Sequence, residues 1–427
     1  MTAVQSASLG GLERTAKASW RAPIAFIAFT VLAAVLLIGF ANDLHAEFRL
    51  TPPGDAWQIP PIILPGRPTG WIVVALAAVM TVVAVLLALR KRKVPLWLTL
   101  VFGLVLLIGF LTWAGSTAGL HSIPVAGLLA GTLSLAVPLI FGSLAGVIGE
   151  RVGVVNIAIE GQLLLGAFSS ALVASVTGST WAGLVAAAVA GTLVAMVLAV
   201  FSISYFVDQV IVGVVINVLI SGLTGFLFSE VLAPNRETLN TPPRFEVWSI
   251  PGLADIPLIG PMFFRQTPIV YLAYIAVFLV WWGLYRTRWG LRVRSVGEHP
   301  TAADTVGIDV NRTRFWNLAL GGAIAGIGGA FFTLGSVGAF NKDMTAGAGY
   351  IALAAVIFGR WNPVRAALAA LLFGFTTNLQ NTLSIIDSPV PSSILLMLPY
   401  VVTILAVAGL VGASRGPAAV GKPYIKP

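Results

Sequence analysis

The chain has 427 residues, of which 58% are hydrophobic and 10% are charged, and it has a formal net charge of +9 and no cysteine. A soluble domain has about 25% charged residues, so this composition excludes an ordinary soluble protein, and the lack of cysteine excludes disulfides and thiolate chemistry. Apolar runs of about 20 residues recur along the chain, each long enough to cross a hydrocarbon core of ~30 Å. We therefore predict an all-α polytopic membrane protein.

Twelve apolar runs are candidate membrane segments. In chain order they cover residues 22–41, 70–89, 94–113, 123–149, 154–176, 181–203, 208–230, 268–286, 314–337, 347–360, 363–381 and 394–413. The tenth run is short for a complete crossing, which leaves a broken or re-entrant segment as an alternative, but we count it as a crossing because the basic residues of the loops favour an even number of crossings. We therefore predict about twelve transmembrane segments, with a range of ten to twelve.

Basic residues are distributed unevenly between the loops, and this distribution indicates the orientation. With the N-terminus inside, the external loops hold six of the 25 basic residues and the cytoplasmic segments hold the other 19. Both termini are therefore predicted to be cytoplasmic. The long loops at 42–69 and 231–267 are rich in Pro and Gly and are predicted to face outward, either as a surface for an external partner or as ordinary connectors.

The segment GVVNIAIEGQ, residues 153–162, places Asn156, Glu160 and Gln162 in an apolar run. Asn156 and Glu160 are four residues apart and would share one helix face. A central ionisable residue costs roughly 2.5–3.5 kcal/mol on insertion scales, so it normally faces protein or water. This face is therefore either part of a hydrophilic substrate path, or a structural element in which Glu160 pairs with a neighbouring helix or caps a broken helix end.

Two later runs carry further patterns. Asn217, Ser221 and Thr224 stand at i, i+4 and i+7, which places them on one helix face and favours the substrate path. In the segment GGAIAGIGGA, Gly322 and Gly326 have small-xxx-small spacing, which predicts close packing of helix backbones.

The loop at 286–314 is the longest one predicted to be cytoplasmic. Pro300 can start a helix, TAADTV can continue it for about two turns, and Gly307 can end it. A short helix held between two spans is suited to contact with a soluble partner.

The predicted tail at 414–427 contains GPAAVGKP, which matches the G-x-x-x-x-G-K spacing of a phosphate loop. Pro423 stands where that motif needs a Ser or Thr hydroxyl, and no predicted strand precedes it. We therefore predict a basic cytoplasmic end instead of a nucleotide site. His45, His121 and His299 all map to loops, so no catalytic or metal constellation is predicted within the spans.

Four stretches together resemble the permease subunits of bacterial ABC importers, in the branch that includes ribose, branched-chain amino acid and nucleoside systems. They are GERVGVVNIAIEGQLLLGAF from Gly149, TRWGLRVRSVGEHPTAADTVGIDV around Arg288, AGAGYIALAAVIFGRWNP from Ala346 and ALLFGF from Ala370. The resemblance covers about residues 123–413, the predicted permease core. Residues 1–122 are predicted to be an N-terminal membrane extension of about three spans.

The resemblance implies a transport subunit and not an enzyme. Such a subunit lies in the bacterial inner or plasma membrane and forms half of a translocation pore with a second permease, homologous or identical. Cytoplasmic ABC ATPases would bind the ATP, so no cofactor is expected on this chain. A substrate-binding protein or lipoprotein outside the cytoplasm would deliver the substrate, and nucleic acid is not an expected partner.

Two sets of residues are predicted to carry the function. The resemblance assigns ATPase coupling to the helix near 300–306 and its flanks, with Gly297, Glu298, Pro300, Ala302, Ala303 and Gly307. The predicted substrate path comprises Asn156, Glu160, Gln162, Asn217, Ser221, Tyr350 and Phe375. The aromatic residues Phe332, Phe340, Tyr350 and Phe375 can stack on a nucleobase, although packing and interfacial roles are the more common alternatives.

Three functional hypotheses remain at this level. The stretch GVVNIAIEG reads like the nucleoside-type permeases, close to GVVNIGIEG, more than the sugar-type permeases, whose counterpart resembles GIDLSVG. A nucleoside importer is therefore the first hypothesis and an importer of a simple sugar is the second. The third is a secondary transporter coupled to protons through Glu160.

Overall fold

The structure is a computed structural model that describes residues 20–52, 57–118, 122–388, 390–391, 393–397, 400 and 416–426. The predicted twelfth run at 394–413 lies largely outside these residues, and the predicted tail is described from residue 416. The described residues form two compact units. Residues 20–48, 62–118, 122–123 and 386–388 belong to the first unit, and the other described residues belong to the second.

Most of the described residues are helical. In chain order the α-helices are α1 (Arg21–Ala34), α2 (Gly66–Leu89), α3 (Leu96–Thr117), α4 (Val125–Arg151), α5 (Ile159–Thr177), α6 (Thr180–Ala199), α7 (Gln209–Leu227), α8 (Arg236–Leu239), α9 (Pro268–Arg286), α10 (Arg288–Glu298), α11 (Pro300–Thr305), α12 (Val310–Ala330), α13 (Ala348–Phe358) and α14 (Pro363–Ile385). π-Helical turns occupy Val35–Gly39, Val200–Ser204, Phe228–Leu232, Gly260–Phe264 and Phe331–Val337.

The prediction of a polytopic all-α protein is confirmed. In the described part of the chain, nine helical segments are long and apolar enough to cross a membrane, and they coincide with the first nine predicted runs. The tenth run forms α13, whose 11 residues extend only about 17 Å and so are too short to cross the hydrocarbon core alone. The eleventh run forms α14, with 23 residues.

Helices α1, α2 and α3 pack together in the first unit. The ring of Phe26 on α1 stacks on Phe102 of α3 with centroids 4.0 Å apart, and the hydroxyls of Thr30 and Thr81 are 2.8 Å apart. A small sheet in the order β2-β1-β3 is formed by β1 (His45–Arg49), β2 (Ile62–Pro65) and β3 (Ser122–Pro124), and most of its residues belong to this unit. β1 and β2 are antiparallel, with His45 opposite Pro65.

The core of the second unit is built around α4 and α12. Helix α12 packs most extensively on α6 and also contacts α4 and α5. The predicted close backbone packing is confirmed, because a Cβ atom added to Gly326 would lie 2.0 Å from the carbonyl oxygen of Ala187 on α6. Two short strands, β4 (Trp248–Ser249) and β5 (Arg265–Gln266), pair antiparallel in the loop before α9.

Candidate functional site

Helices α4 and α5 are separated by a non-helical segment, residues 152–158, which we call the break. Gly153 has a φ of +94°, its N–H donates to the Glu150 carbonyl at 3.0 Å, and the Val154 N–H donates to the Gly149 carbonyl at 2.8 Å. These bonds form a Schellman motif, which ends α4. The prediction of a helix from residue 154 is therefore wrong at its start, since α5 begins at Ile159.

Asn156 lies in the break, so the prediction that it shares a helix face with Glu160 is wrong. It pairs instead with Gln162 on α5. The Asn156 Nδ2 donates to Gln162 Oε1 at 3.1 Å, and Gln162 Nε2 donates to Asn156 Oδ1 at 3.1 Å. Both side chains are completely buried. Because each amide satisfies the other without water, the pair stabilises the break against the first two turns of α5.

Glu160 lies in the first turn of α5, and its carboxylate contacts the segment before and at the start of α13. Oε1 accepts from the Thr345 hydroxyl at 2.6 Å and from the Gly347 N–H at 2.9 Å, and Oε2 accepts from the Gly349 N–H at 2.6 Å. Backbone donors at a helix N-terminus favour a negative charge. Of the two hypotheses for Glu160, these contacts support the structural one, in which it caps a neighbouring helix.

Asn217 and Ser221 on α7 extend this arrangement. Asn217 Oδ1 accepts from the Gly161 N–H at 2.8 Å, and its Nδ2 donates to the Ile157 carbonyl at 2.9 Å and to the Tyr350 hydroxyl at 3.1 Å. Ser221 donates to Asp343 Oδ1 at 2.5 Å. The structure therefore brings five side chains into one polar cluster, defined here as Glu160, Asn217, Ser221, Asp343 and Tyr350.

The predicted aromatic residues differ in their exposure. Phe340 is buried and packs edge-on against Phe168 with centroids 5.3 Å apart. Tyr350 is 48% exposed although its hydroxyl bonds to Asn217, so its ring has a free face. Phe332 and Phe375 are partly buried, and among the described residues no hydrogen bond or ring contact joins Phe375 to the polar cluster.

A second buried contact joins the end of α4 to the turn after α13. Trp361 Nε1 donates to the buried carboxylate of Glu150, and Arg151 Nε donates to the Trp361 carbonyl at 2.9 Å. Trp361 has a φ of +55°, which turns the chain between α13 and α14. Residue-by-residue reasoning missed this pair. Its signal was the presence of GER and GRW in two of the stretches that carried the family resemblance.

The predicted coupling loop forms two helices, α10 and α11, joined at His299. The predicted helix from Pro300 is confirmed, and Gly307 follows it with a φ of +86°. Helix α10 was not predicted.

The predicted coupling residues are partly exposed and partly buried. Glu298, Ala302 and Gly307 are exposed, Pro300 is partly exposed and Ala303 is buried. Gly297 is also buried, and a Cβ atom there would lie 2.1 Å from the Arg151 carbonyl. The coupling loop is therefore in backbone contact with the end of α4.

The sequence matches the model of a known protein family. Residues 128–407 match the model described as the branched-chain amino acid transport system / permease component. The chain belongs to this permease family. The permease is accordingly a multi-pass membrane transport subunit and not an enzyme. Like ABC permeases in general, it functions with ATPase and substrate-binding partners.

Curated relatives match most of the permease. It is 41% identical over 304 residues to the guanosine ABC transporter permease protein NupQ of Bacillus subtilis, covering 69% of this chain and 95% of the relative. It is 39% identical to the nucleoside ABC transporter permease protein NupC of Lactococcus lactis, covering 70% of this chain and 96% of the relative. It is also 39% identical to the putative glucose ABC transporter permease protein TsgC13 of Haloferax volcanii, covering 60% of this chain and 77% of the relative. No solved structure matches the permease.

Proposed function

We propose that the permease is the membrane-spanning subunit of an ATP-driven importer for nucleosides. The observation that carries this proposal is its 41% identity, over 95% of the relative's length, to a permease named for guanosine transport. The presence of GVVNIAIEG at the break supports the same substrate class. ATP would be bound and hydrolysed by a separate ATPase, and a second permease would complete the pore.

The proposed orientation follows from the basic residues. We place both termini in the cytoplasm, with about twelve crossings, so that α10 and α11 face the ATPase and the loops at 42–69 and 231–267 face the substrate-binding protein. Residues 1–122 would form an N-terminal membrane extension in addition to the permease core at 123–413. Gly297, Glu298, Pro300, Ala302, Ala303 and Gly307 would lie at or beside the ATPase contact.

The proposed substrate path passes the polar cluster. The half-exposed ring of Tyr350 offers a face on which a nucleobase can stack, and its hydroxyl is oriented by Asn217. Ser221 and Asp343 provide polar atoms for a ribose next to it. Asn156 and Gln162 would shape the path from behind, because both are buried and paired. Phe375 would lie at a separate position on α14.

The proposed coupling route runs through backbone contacts. The carbonyl of Arg151 touches Gly297 in the coupling loop, and Arg151 directly precedes the break. Glu160 and Asn217 connect the far side of the break to the segment 343–350 and to α7. Movement of α10 and α11 on ATP binding would therefore reach the polar cluster through a short, packed chain of residues.

Reconstituted uptake tests the proposal. Proteoliposomes containing the permease, its ATPase and its substrate-binding protein should take up labelled guanosine only when ATP is present, and excess unlabelled nucleoside should compete. Glucose that competes while nucleosides do not would contradict the nucleoside assignment and support a sugar importer, which the glucose permease relative makes the second candidate. Uptake driven by a pH gradient without ATP would instead support the proton-coupled transporter.

A further inference from the structure

The segment 416–426, which we call the strap, lies against the coupling loop. The Ala419 N–H donates to the Gly297 carbonyl at 2.9 Å, and the Ala418 N–H donates to Glu298 Oε2 at 3.3 Å. At its far end, Lys426 Nζ lies 3.7 Å from Asp304 of α11. The strap therefore contacts the loop on both sides of the junction between α10 and α11.

The same strap also contacts the break and the start of α12. The Gly421 N–H donates to the Gly153 carbonyl at 3.3 Å, and the Lys422 carbonyl accepts from Arg314 Nη1 at 2.9 Å. A Cβ atom on Gly153 would lie 2.9 Å from Arg314 Nη2. The break, which is far from the other two elements in sequence, thus meets the coupling loop and the start of α12 on one short segment.

The buried guanidinium of Arg314 needs a hydrogen-bond acceptor, and the strap supplies one. The Arg314 side chain is only 2% exposed, and in the described part of the chain its Nε and Nη2 have no hydrogen-bond partner. A buried guanidinium without a paired carboxylate is costly. The Lys422 carbonyl of the strap partly compensates this cost, and loss of the strap would remove that acceptor and admit water to the start of α12.

The strap is anchored by apolar burial as well. Tyr424 is 6% exposed and belongs to the main hydrophobic core, and Ala419 is 5% exposed. A solvated basic tail would not bury an aromatic ring, since burial of such a side chain is favourable by about 1.5–3 kcal/mol only when the segment is docked. The prediction of a plain basic end does not account for this packing.

The same contacts show why the segment that resembles a phosphate loop does not form a nucleotide site. The N–H groups of residues 418–422 all donate within the protein: Ala418 to Glu298, Ala419 to Gly297, Val420 to Pro417, Gly421 to Gly153 and Lys422 to Ala419. A phosphate loop needs these groups free to point at the anion. The glycine at 421 serves instead to turn the strap, with a φ of +75°.

We propose that the strap is a positioning element of the coupling machinery. By bonding to Gly153, Gly297 and Arg314 together, it fixes the coupling loop against the break, so that displacement of α10 and α11 by the ATPase is transmitted to α5 and is not absorbed by the loop. This inference rests on the proposed function, because it requires an ATPase to be coupled. It adds a segment that lies outside both predicted sets of functional residues.

Replacement of the anchor tests the proposal in the complete reconstituted importer. Tyr424→Ala should reduce nucleoside uptake per ATP hydrolysed by about tenfold, while the ATPase still co-purifies with the permease. Tyr424→Phe keeps the buried ring and should behave as the wild type. Equal coupling ratios in all three proteins would overturn the proposal.

A cross-link tests the strap without removing any packing. Because the chain has no cysteine, Lys426→Cys and Asp304→Cys, at side chains whose charged atoms lie 3.7 Å apart, can be joined selectively with a short thiol cross-linker, and uptake is compared before and after joining in the same double variant. A fixed positioning element should leave uptake unchanged when it is joined. Uptake that is lost on cross-linking and recovered on cleavage of the linker would show that the strap must move, and would overturn the proposal.

The two proposals can fail separately. If the wild-type complex shows no ATP-dependent nucleoside uptake, the substrate assignment fails, and the strap is then judged by the basal ATPase rate of the same complexes. A rate that differs between Tyr424→Ala and both other proteins would support the strap, and equal rates would contradict it. If the wild type does take up nucleoside, only the coupling ratio and the cross-link decide the matter.

Discussion

Replacement of Glu160 by Gln tests the contact between α5 and α13. The carboxylate accepts three hydrogen bonds with both oxygens, two of them from backbone N–H groups at 2.9 and 2.6 Å. Glutamine retains one oxygen and presents an NH2 group in place of the other. In either orientation of the amide, at least one backbone donor then faces another donor and loses its acceptor.

The magnitude follows from the bonds that are lost. A hydrogen bond to a charged group contributes about 1.5–3 kcal/mol, and a negative charge at a helix N-terminus contributes roughly 0.3–1 kcal/mol more. We therefore expect Glu160→Gln to destabilise the contact by about 2–4 kcal/mol, which shifts the local equilibrium by more than tenfold. Thermal unfolding of the purified complex and ATP-dependent uptake in proteoliposomes both measure this effect.

A matched control separates this effect from a general loss of charge. Glu230 is exposed at the end of the segment that contains α7, so Glu230→Gln should leave both the unfolding temperature and the uptake unchanged. The reasoning is refuted if Glu160→Gln unfolds at the wild-type temperature. Normal stability combined with loss of uptake would assign Glu160 to the substrate path instead of to a structural contact.

Three further predictions concern packing and buried polar groups. Gly326→Ala should destabilise the permease by ~1–3 kcal/mol because the added methyl forces α6 and α12 apart, whereas the same change at Gly222, which has no neighbour within 4 Å, should be neutral or stabilising in thermal unfolding. Trp361→Phe should cost about 1–3 kcal/mol, since the buried carboxylate of Glu150 loses its indole donor; an unchanged unfolding temperature would argue against that bond. Asn217→Ala should reduce nucleoside affinity as well as stability, because it frees the Tyr350 hydroxyl, and uptake kinetics with wild-type affinity would contradict this.

Some of this structure can be read directly from the sequence. The first nine predicted runs coincide with described helices, because hydropathy over about 20 residues is a local property and a membrane segment must satisfy its backbone internally whatever its neighbours are. The helix from Pro300 was predictable for a similar reason, since proline and glycine restrict the backbone at their own positions. The close packing at Gly326 follows from a spacing that is visible in a single segment.

Four of the five side chains in the polar cluster were predictable, but Asp343 was missed and the contacts of the cluster were not predicted. Asn156, Glu160 and Asn217 were identified because polar residues are rare in apolar runs. Their partners lie elsewhere: Glu160 bonds to Thr345, 185 positions away. The assumed helix face of Asn156 failed because Gly153 adopts a left-handed conformation, which hydropathy does not report.

The strap shows the limit of local patterns most clearly. Its composition is that of a basic tail, and its glycine spacing imitates a phosphate loop. Its docking depends on a carbonyl at Gly297 and on a buried guanidinium at Arg314, 108 positions before the Lys422 carbonyl that it contacts. Hydropathy therefore established the class of protein and the positions of the described helices that are long and apolar enough to cross a membrane. Which polar groups bond to each other was settled by long-range packing, because a buried donor must find an acceptor wherever the fold brings one within reach.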